Sequence, residues 1–426
     1  MLDVKAIRED PGPFRAGLAR RGLADAVDEI VKLDERRREL LTEVERLRAE
    51  QKRLSKAIGK AEGEEKQQLI RKVATTSARV KELEPELELV EVGLNDLLAR
   101  TPNVPHPSAP DGFTDEDAVE VRRHGAPPAF DFEPKDHVAL GEALGVLDTD
   151  RGARTSGSRF VYLMGDVVHL QFALVRHALD AVTAKGFMPV IPPVLVREEA
   201  MYGTGFLPTD AVNIYMTRED DLYLAGTSEV PLAALRMGEI MDEVDLPQRF
   251  AGYSTCFRRE AGSYGKDLGG MFRVHQFDKV EMFSFTRPED SWDEHEDLVR
   301  IEEQIVADLD LPYRVVNIAA GDLGGAAAKK YDIEVWLPGQ GRYRELTSCS
   351  NCTDYQARRL QARVRRADGT IEVLHTLNGT ATAVGRTLIA ILENHQRRDG
   401  SVELPKVLHP YLPASLRILE PRARAR

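Results

Sequence analysis

A seven-residue repeat of apolar side chains runs through residues 28–98, a stretch that is dense in charge and almost free of aromatic residues. Such a repeat is typical of a coiled coil, because it keeps one stripe of each helix facing its partner. The polar, glycine-punctuated segment 59–66 interrupts the repeat, so the pattern predicts two helices folded back as an antiparallel hairpin arm over about residues 27–98. Pro85 lies inside the second predicted helix and predicts a kink or a register defect there. The predicted seam consists of Ile30, Leu33, Arg37, Leu40, Val44, Leu47, Gln51, Leu54 and Ile58, then Val73, Thr76, Val80, Leu83, Leu87, Val90, Leu94 and Leu97.

The outer half of the first predicted helix is basic. Residues 46–60 contain six lysines and arginines against Glu50, a local charge of +5. A charge run is usually a solvated helix face, but a long rod with a basic end can also grip a phosphate backbone. The candidate contacts to nucleic acid are Arg46, Arg48, Lys52, Arg53 and Lys56.

Composition removes several classes of protein. The net charge of -12 argues against a chain that coats nucleic acid with its whole surface, and no apolar run is long enough to span a bilayer. The amino terminus is charged and lacks the apolar core of a signal peptide. Three cysteines in 426 residues are too few for a disulfide scaffold. We therefore expect a cytoplasmic protein that does not bind a membrane.

The pattern changes after residue 100. Seven prolines in residues 101–135 predict a linker between an amino-terminal helical domain, residues 1–100, and a second domain, residues 136–426. Beyond the linker, the sequence has short β-rich runs and a few helices. The runs include Phe187–Val196, Gln276–Phe285 and Tyr331–Leu337. This pattern predicts an α+β fold with an antiparallel sheet flanked by helices.

One segment of the second domain combines arginines, acids and an aromatic residue around a glycine-rich loop. Phe257-Arg258-Arg259-Glu260 precedes the loop, and Phe277 follows it. No P-loop or Rossmann glycine pattern occurs in the chain, so a nucleotide would have to bind in another way. An arginine could clamp a phosphate and an aromatic ring could stack on a base. On its own, the segment is also typical of a salt-bridged hairpin, which is the simpler interpretation.

Five segments in order resemble one family. Residues 186–196, 256–283 and 377–396 are similar to motifs 1, 2 and 3 of class II aminoacyl-tRNA synthetases. The segments Thr227–Glu229 and Glu345–Cys352 match the serine-binding and ATP-binding stretches of the seryl form. With the amino-terminal arm, these motifs identify a resemblance to the bacterial type of seryl-tRNA synthetase along nearly the whole chain.

The resemblance implies a two-step ligation. Serine and ATP give seryl-adenylate and pyrophosphate, and the serine then passes to serine tRNA, with selenocysteine tRNA as a further acceptor of serine. It also implies a homodimer built through motif 1, and an arm that grips tRNA, not DNA.

For ATP, the resemblance implies a set of residues from motifs 2 and 3 and the strand between them. Arg258 would bridge the serine carboxylate and the α-phosphate, while Arg386 and Arg273 would hold the γ-phosphate. Phe277 would stack on adenine, and Glu260 would accept a hydrogen bond from its amino group. The full set is Arg258, Arg259, Glu260, Arg273, Val274, Phe277, Glu345, Leu346, Thr347, Ser348 and Arg386.

For serine, the resemblance implies acidic and hydroxyl side chains around the amino acid. Thr227, Glu229 and Glu281 would surround the ammonium group. Thr380 and Asn378 would face the hydroxyl, and such a site rejects alanine because its buried polar groups would lose their partner. The full set is Thr227, Ser228, Glu229, Arg258, Glu281, Asn378 and Thr380.

The resemblance implies a Mg²⁺ ion with ATP, held by Glu345 and Ser348, whose oxygen atoms suit a hard cation. The catalytic residues would be Arg258, Glu345 and Arg386. Cys349 and Cys352 have the spacing of half a zinc site, but the sequence lacks a second ligand pair, and we expect no zinc.

Three positions depart from the seryl pattern: Leu268 and Gly269 in the motif 2 loop, and Ala381 in motif 3. They leave room for a specialised copy, either resistant to a seryl-adenylate mimic or supplying serine to a biosynthetic pathway. Two further alternatives are an enzyme that loads serine on a carrier protein and a coiled-coil protein with an inactive synthetase-like domain. The basic arm argues against the first of these, and the ligand residues that are present argue against the second.

Overall fold

The computed structural model describes residues 1–261 and 270–421. The chain divides into two compact units, one from Leu2 to Val104 and the other from Pro105 onward together with Met1. We call them the arm unit and the core unit. The departures at Leu268 and Gly269 lie outside the described residues.

The arm unit is helical. Asp3 and Asp10 cap the first two helices, each accepting hydrogen bonds from backbone N–H groups that have no partner inside the helix. The 34 residues of the third helix give a rod about 50 Å long. The helices are α1 (Val4–Glu9), α2 (Pro11–Ala19), α3 (Asp25–Ile58) and α4 (Gly63–Arg100).

Contacts between α3 and α4 run in opposite directions along the two helices, so the predicted antiparallel hairpin is confirmed. Arg37 pairs with Glu91, and Gln51 Nε2 donates to Ser77 Oγ at 2.7 Å. The buried seam centres on Leu40, Val44, Leu47, Val80 and Leu83. The turn is shorter than predicted, because α4 begins at Gly63 with φ +57°.

Pro85 does not end α4. The helix is continuous from Gly63 to Arg100, so the chain accepts a proline in the middle of a 38-residue helix. Proline cannot donate a hydrogen bond to the carbonyl four residues earlier, which belongs to Lys81. The proline therefore removes one donor without dividing the helix, and the kink or register defect stays a prediction.

The core unit mixes strands and helices. Its helices are α5 (His137–Leu144), α6 (Thr149–Ser156), α7 (Asp166–Thr183), α8 (Glu198–Thr204), α9 (Glu229–Ala234), α10 (Ser291–Asp308), α11 (Tyr355–Leu360) and α12 (Val384–Asn394). Its strands are β1 (Val119–His124), β2 (Leu147–Asp148), β3 (Tyr162–Leu163), β4 (Met188–Val190), β5 (Leu195–Val196), β6 (Tyr215–Met216), β7 (Tyr223–Leu224), β8 (Ile240–Asp242), β9 (Gln248–Phe257), β10 (Gln276–Thr286), β11 (Tyr313–Asn317), β12 (Lys329–Leu337), β13 (Arg342–Asn351), β14 (Arg363–Arg365), β15 (Ile371–Val373), β16 (His375–Ala383), β17 (Val402–Glu403) and β18 (Ile418–Leu419).

A large sheet organises the core unit. Within the described residues its strand order is β1-β11-β12-β13-β16-β10-β9-β4. Neighbouring strands are antiparallel from β1 to β9, and β4 joins β9 in parallel. The predicted α+β class with an antiparallel sheet is confirmed.

Helices α7, α10 and α12 pack against this sheet. Side chains of a strand alternate between faces, so Val280 and Met282 of β10 join the main apolar core, while Phe283 and Phe285 join a second one with Leu232. The two faces of β10 are thus both covered over much of its length. This packing holds the sheet rigid beneath the residues at the amino-terminal end of β10.

Two predicted segments differ in detail. The stretch 101–135, expected to be a linker, contains β1, which pairs with β11 at the edge of the large sheet. The run from Phe187 to Val196 is split into β4 and β5, because Pro192 and Pro193 lack the N–H groups that a strand ladder needs.

Candidate active site

A cavity of about 230 Å³ opens over β10, β13 and β16 of the core unit. Motif-like segments that are distant in sequence meet here because their strands are neighbours in the sheet. The cavity is lined by Arg258, Glu260, Met271, Phe272, Arg273, Val274, Phe277, Lys279, Lys330, Glu345, Leu346, Thr347, Ser348, Thr380, Ala383, Gly385 and Arg386.

Two β-bulges aim the strands at this cavity. The pairing of β12 with β13 skips Leu346: Ile333 lies opposite Thr347, and Glu334 lies opposite Glu345. In a regular strand, residues three apart point to opposite faces, but the extra residue brings Glu345 and Ser348 to the same cavity.

The second bulge lies in β16, where the pairing with β10 skips Ala381. Thr380 lies opposite Glu281, and Thr382 lies opposite Val280. As a result the cavity is lined by Thr380 and then by Ala383, three residues later. Ala381 itself is buried in the main core, so this departure from the seryl pattern does not face the cavity.

Opposite charges meet at the far wall. Arg386 Nη1 lies 3.2 Å from Glu345 Oε2 and also donates to the backbone carbonyl of Glu345 at 3.1 Å. Burial opposes ionisation of Glu345, but Arg386 and Lys330 outweigh it and hold its pKa at about 2. Glu345 is therefore an anion at neutral pH and offers two oxygen atoms to a cation.

Cation–π contacts with aromatic rings hold arginine side chains in and beside the cavity. The ring of Phe272 lies between two guanidinium groups, with its centroid 3.9 Å from that of Arg344 and 4.7 Å from that of Arg386. Arg258 lies over Phe277 at 5.2 Å, and its Nε donates to the carbonyl of Gly226 at 3.0 Å. These contacts fix the direction of the positive groups before any ligand is bound.

A second cavity, of about 490 Å³, shares Arg258, Lys330 and Ser348 with the first. Its wall includes Glu229 and Asn378. Where the two cavities meet, a carboxylate in one would lie beside a phosphate in the other, with Arg258 able to reach both. The remaining lining residues are Thr204, Gly205, Phe206, Thr209, Asp210, Gly324, Gly325, Ala326, Ala327, Ser350 and Cys352.

Hydrogen bonds orient the carboxyl group of Glu229. Its Oε1 accepts from Gln356 Nε2 at 2.7 Å and from Asn378 Nδ2 at 3.0 Å. Burial, and then the charge of Glu281, raise the pKa of Glu229 to about 7. Glu281 lies deeper, where burial raises its pKa against the lowering effect of the paired Lys279. The second cavity thus has Glu229 in its wall and the buried Glu281 nearby, and a bound ammonium ion would stabilise the charged form of Glu229.

The sequence matches two family models. One is "Seryl-tRNA synthetase N-terminal domain", over residues 1–105, and the other is "tRNA synthetase class II core domain (G, H, P, S and T)", over residues 213–395. The chain is 51% identical to the serine–tRNA ligase of Streptomyces coelicolor over 428 residues, which cover 100% of both chains. The chain belongs to the seryl-tRNA synthetase family.

Solved structures of seryl-tRNA synthetases have the same fold. The crystal structure of the enzyme from Pyrococcus horikoshii complexed with ATP matches with a TM-score of 0.93 and 45% identity, covering 99% of this chain and 100% of that chain. The cytoplasmic enzyme of Naegleria fowleri, in complex with AMP, matches with a TM-score of 0.88 and 33% identity, covering 99% of each chain.

The structure brings most of the residues expected in the ATP and serine sites of a seryl-tRNA synthetase to the two cavities. Four of them, Thr227, Ser228, Arg259 and Glu281, do not line either cavity. Ser228 Oγ is hydrogen-bonded to Ser254 Oγ at 2.6 Å, and Thr227 Oγ1 accepts from the N–H of Glu229 at 3.1 Å. The backbone N–H of Arg259 donates to the carbonyl of Asn213 at 2.9 Å. Thr227 and Ser228 are both buried and support the chain that carries Glu229.

Glu260 and Arg273 are ion-paired with each other in the cavity. Glu260 also has a positive φ of 50°, a conformation that a non-glycine residue seldom adopts. Such backbone strain is common at ligand-binding sites. If Glu260 or Arg273 binds a ligand, part of the ion pair between them must be replaced by contacts with that ligand.

Sequence reasoning missed Lys330, which lines both cavities and lies 3.1 Å from Asp332. It also missed Phe272 and Gln356, which act by holding Arg386 and Glu229. The only signal for Lys330 was a lysine at the start of a strand in which charged and apolar residues alternate. For Phe272 and Gln356 no signal existed, because their partners come from other elements of the fold.

In the arm unit, the five predicted nucleic-acid contacts divide into two groups. Arg46 is ion-paired with Glu43 and Glu50, and Arg48 with Glu84. Lys52, Arg53 and Lys56 have no ion pair among the described residues. This second group lies in the outer half of α3, toward the hairpin turn.

Neither a membrane segment nor a protein-built metal cluster emerges from residues 1–261 and 270–421. Every helix in these ranges is too short or too polar to cross a bilayer. No three histidine, cysteine or acidic side chains of the same ranges are grouped to hold a metal ion. Cys349 and Cys352 are buried free thiols, and burial raises the pKa of both well above its ordinary value.

Proposed function

We propose that this chain is a serine–tRNA ligase. It joins L-serine to ATP, giving seryl-adenylate and pyrophosphate, and then transfers the seryl group to the terminal adenosine of serine tRNA. The observation that carries the proposal is the meeting of the two cavities at Arg258, Lys330 and Ser348. One cavity has the positive and aromatic side chains that ATP needs, and the other has the acidic side chains that an amino acid's ammonium group needs.

In the first step an oxygen of the serine carboxylate forms a bond to the α-phosphorus, and the bond from that phosphorus to the pyrophosphate oxygen breaks. No general base is needed, because the nucleophile is already an anion. Negative charge increases on the phosphate oxygens, so fixed positive groups aimed at them lower the barrier. Arg258 bridges the carboxylate and the α-phosphate, while Arg386 and Arg273 hold the γ-phosphate. Positioning of the two reactants in adjoining cavities supplies most of the rate.

The nucleoside part of ATP fits the remaining walls of the first cavity. Adenine stacks on Phe277, and Glu260 accepts a hydrogen bond from its amino group. The other members of the expected ATP set that line this cavity are Val274, Leu346 and Thr347. Arg259 is left with a supporting role in the segment after β9, where it follows Arg258.

Glu345 and Ser348 fit a Mg²⁺ ion that arrives with ATP, because they present a carboxylate and a hydroxyl oxygen to the same cavity. The ion would spread the charge of the phosphates and orient them. Two protein ligands are enough for Mg²⁺, which usually keeps waters and substrate phosphates as its other ligands.

Serine binds in the second cavity. Its ammonium group is neutralised by Glu229, with the buried Glu281 nearby, and its hydroxyl is held by Asn378 of this cavity and by Thr380, which reaches it from the first cavity. Alanine lacks the hydroxyl and would leave these buried polar groups without a partner. In the second step a ribose hydroxyl of tRNA attacks the seryl carbonyl, and the bond to AMP breaks.

We further propose that Lys52, Arg53 and Lys56, with Arg46 and Arg48, contact the tRNA backbone, and that the chain works as a homodimer in the cytoplasm. The apolar side chains of Phe172, Met188 and Ile191 are 58%, 61% and 84% exposed, which supports an interface at motif 1. Selenocysteine tRNA, which also receives serine, is a second expected acceptor.

The test is ATP–pyrophosphate exchange driven by serine, with alanine, threonine and cysteine as controls, followed by charging of serine tRNA. Exchange and charging with serine alone are the expected results. Exchange without charging would favour transfer to a carrier protein. Absence of exchange with every amino acid would contradict the catalytic proposal and favour a binding protein.

A further inference from the structure

Two buried residues outside the cavities, His137 and Glu393, form a pair that the proposed chemistry does not use. His137 is the first residue of α5 and Glu393 lies in the last turn of α12, and they are 4% and 0% exposed. His137 Nδ1 lies 3.0 Å from Glu393 Oε1. The other ring nitrogen, Nε2, lies 3.3 Å from the backbone N–H of Met271.

This geometry fixes the tautomer of the ring. The N–H of Met271 can only donate, so Nε2 is the unprotonated nitrogen and accepts. Nδ1 then carries the proton and donates to Glu393, whose carboxylate keeps the ring in this orientation. In this tautomer His137 donates through Nδ1 and accepts only through Nε2, which faces the backbone of Met271.

Glu393 is itself fixed by hydrogen bonds from two other segments of the fold. Its Oε1 also accepts from the backbone N–H of His137 at 3.0 Å, and its Oε2 accepts from the N–H of Gly339 at 2.9 Å. Gly339 lies between β12 and β13, the strands that hold Lys330 and Glu345. The pair therefore connects the motif 3 helix to the β12–β13 turn and to the backbone at Met271.

The backbone beside Met271 is pressed against the imidazole ring. Gly270 has φ +73°, and a Cβ atom added there would lie 2.1 Å from His137 Nε2. Both the conformation and the space require glycine. The contact with His137 thus fixes the position of the backbone at Gly270 and Met271.

The residues after Gly270 form a wall of the nucleotide cavity. Met271 and Phe272 line it, and the ring of Phe272 carries the guanidinium of Arg386 at 4.7 Å. We propose that His137, oriented by Glu393, is a positioning residue for ATP: it holds the backbone of Met271 and thereby places Phe272 and Arg386 for the phosphates. This inference rests on the function proposed above.

Two substitutions at position 137 test the inference in the full chain. His137→Leu keeps the volume and removes the acceptor, and His137→Gln keeps an oxygen that reaches the position of Nε2. In the exchange assay we expect His137→Leu to raise KM for ATP about tenfold, the effect of a lost buried hydrogen bond, and to change KM for serine less than twofold. His137→Gln should restore KM for ATP to within about threefold of the unsubstituted value. An equal rise in both KM values, or no rescue by glutamine, would show a merely structural role and overturn the proposal.

Gly270→Ala gives a second test that leaves the pair in place. Its methyl group pushes the backbone off the ring, so KM for ATP should rise as in His137→Leu, and the double variant should be little worse than either single one. Effects that add up would contradict the inference, because the two sites would then act independently. If His137→Leu fails to fold, Gly270→Ala alone decides.

Failure of the proposed function is a separate outcome. If the unsubstituted chain shows no serine-dependent exchange, that function is rejected, and calorimetric binding of ATP to the same variants then decides the inference. Weaker ATP binding in His137→Leu, with recovery in His137→Gln, is expected, and equal affinities would overturn it.

Discussion

At the scale of single residues, the acidic groups of the second cavity set how its affinity depends on pH. The pKa of about 7 at Glu229 means that this group is mostly protonated below neutrality in the free protein. A neutral carboxyl cannot pair with an ammonium ion, whereas the carboxylate can. The charge state that serine requires is therefore populated only as the pH rises through the neutral range.

We predict that kcat/KM for serine increases about tenfold from pH 6 to pH 8 and then levels off, because this parameter reports ionisation in the free enzyme. The measurement is the exchange rate at low serine concentration over that range. Glu229→Gln removes the titrating group, so its profile should be lower and flat. A level profile in the unsubstituted chain would contradict the assignment of Glu229 to the ammonium group.

Residue identity could be predicted from the sequence where a motif was local, and not where a contact joins distant elements. Arg258, Glu345 and Arg386 stand in recognisable motifs, and each lines the cavity. Gln356 and Lys330 do not. Phe272 lies inside motif 2, but its role, like that of the other two, depends on which strands and helices become neighbours. Ser228 shows the converse: it stands in the serine-binding segment, yet its hydroxyl is buried against Ser254.

At the scale of elements, helix α4 contains a proline, Pro85, in its interior. The proline lacks the N–H that would donate to the carbonyl of Lys81. We predict that Pro85→Ala stabilises the arm unit by about 1–3 kcal/mol, since proline costs about 3 kcal/mol in a helix interior. Urea unfolding followed by helical circular dichroism checks this. An unchanged or lower midpoint would mean that neighbouring groups already satisfy this turn.

The outer half of α3 offers a separable test of tRNA binding. Lys52→Glu combined with Lys56→Glu should raise KM for serine tRNA about tenfold or more and leave serine-dependent exchange unchanged. The matched control is Lys32→Glu with Arg38→Glu, two exposed basic residues in the inner half of the same helix. The salt dependence of KM should become weaker by roughly one unit of slope for each phosphate contact removed.

If both double variants lose charging equally, net charge and not a local contact determines the effect.

The helical hairpin itself was predictable because a heptad repeat is a local pattern that continues for several turns. The two bulges of the sheet were not, since a bulge exists only in the pairing of β12 with β13 and of β10 with β16.

At the scale of the whole molecule, the arm unit and the core unit have separate cores. Serine and ATP are proposed to bind in the core unit, whereas tRNA is proposed to contact the arm unit as well. We predict that a non-hydrolysable seryl-adenylate analogue raises the melting temperature of the core transition and leaves the arm transition in place. At a hundred times its Kd the analogue should add about 2.7 kcal/mol to core stability.

Scanning calorimetry with and without the analogue makes this measurement, with an alanyl-adenylate analogue as the control. Strong stabilisation by the seryl analogue would exclude a copy resistant to such mimics. A single transition that shifts as a whole would show that the two units unfold together. That result would contradict the prediction of separate transitions for the two units.

The bulges at Leu346 and Ala381 also determine which kinds of genetic change the site can accept. A substitution at either position keeps the register of the strand pairing and changes one side chain, in the cavity wall at Leu346 and in the main core at Ala381. Deletion of either residue would instead repair the ladder and turn Glu345 or Ala383 toward the opposite face. Along these two strands, therefore, evolution can change the residues but must keep their number.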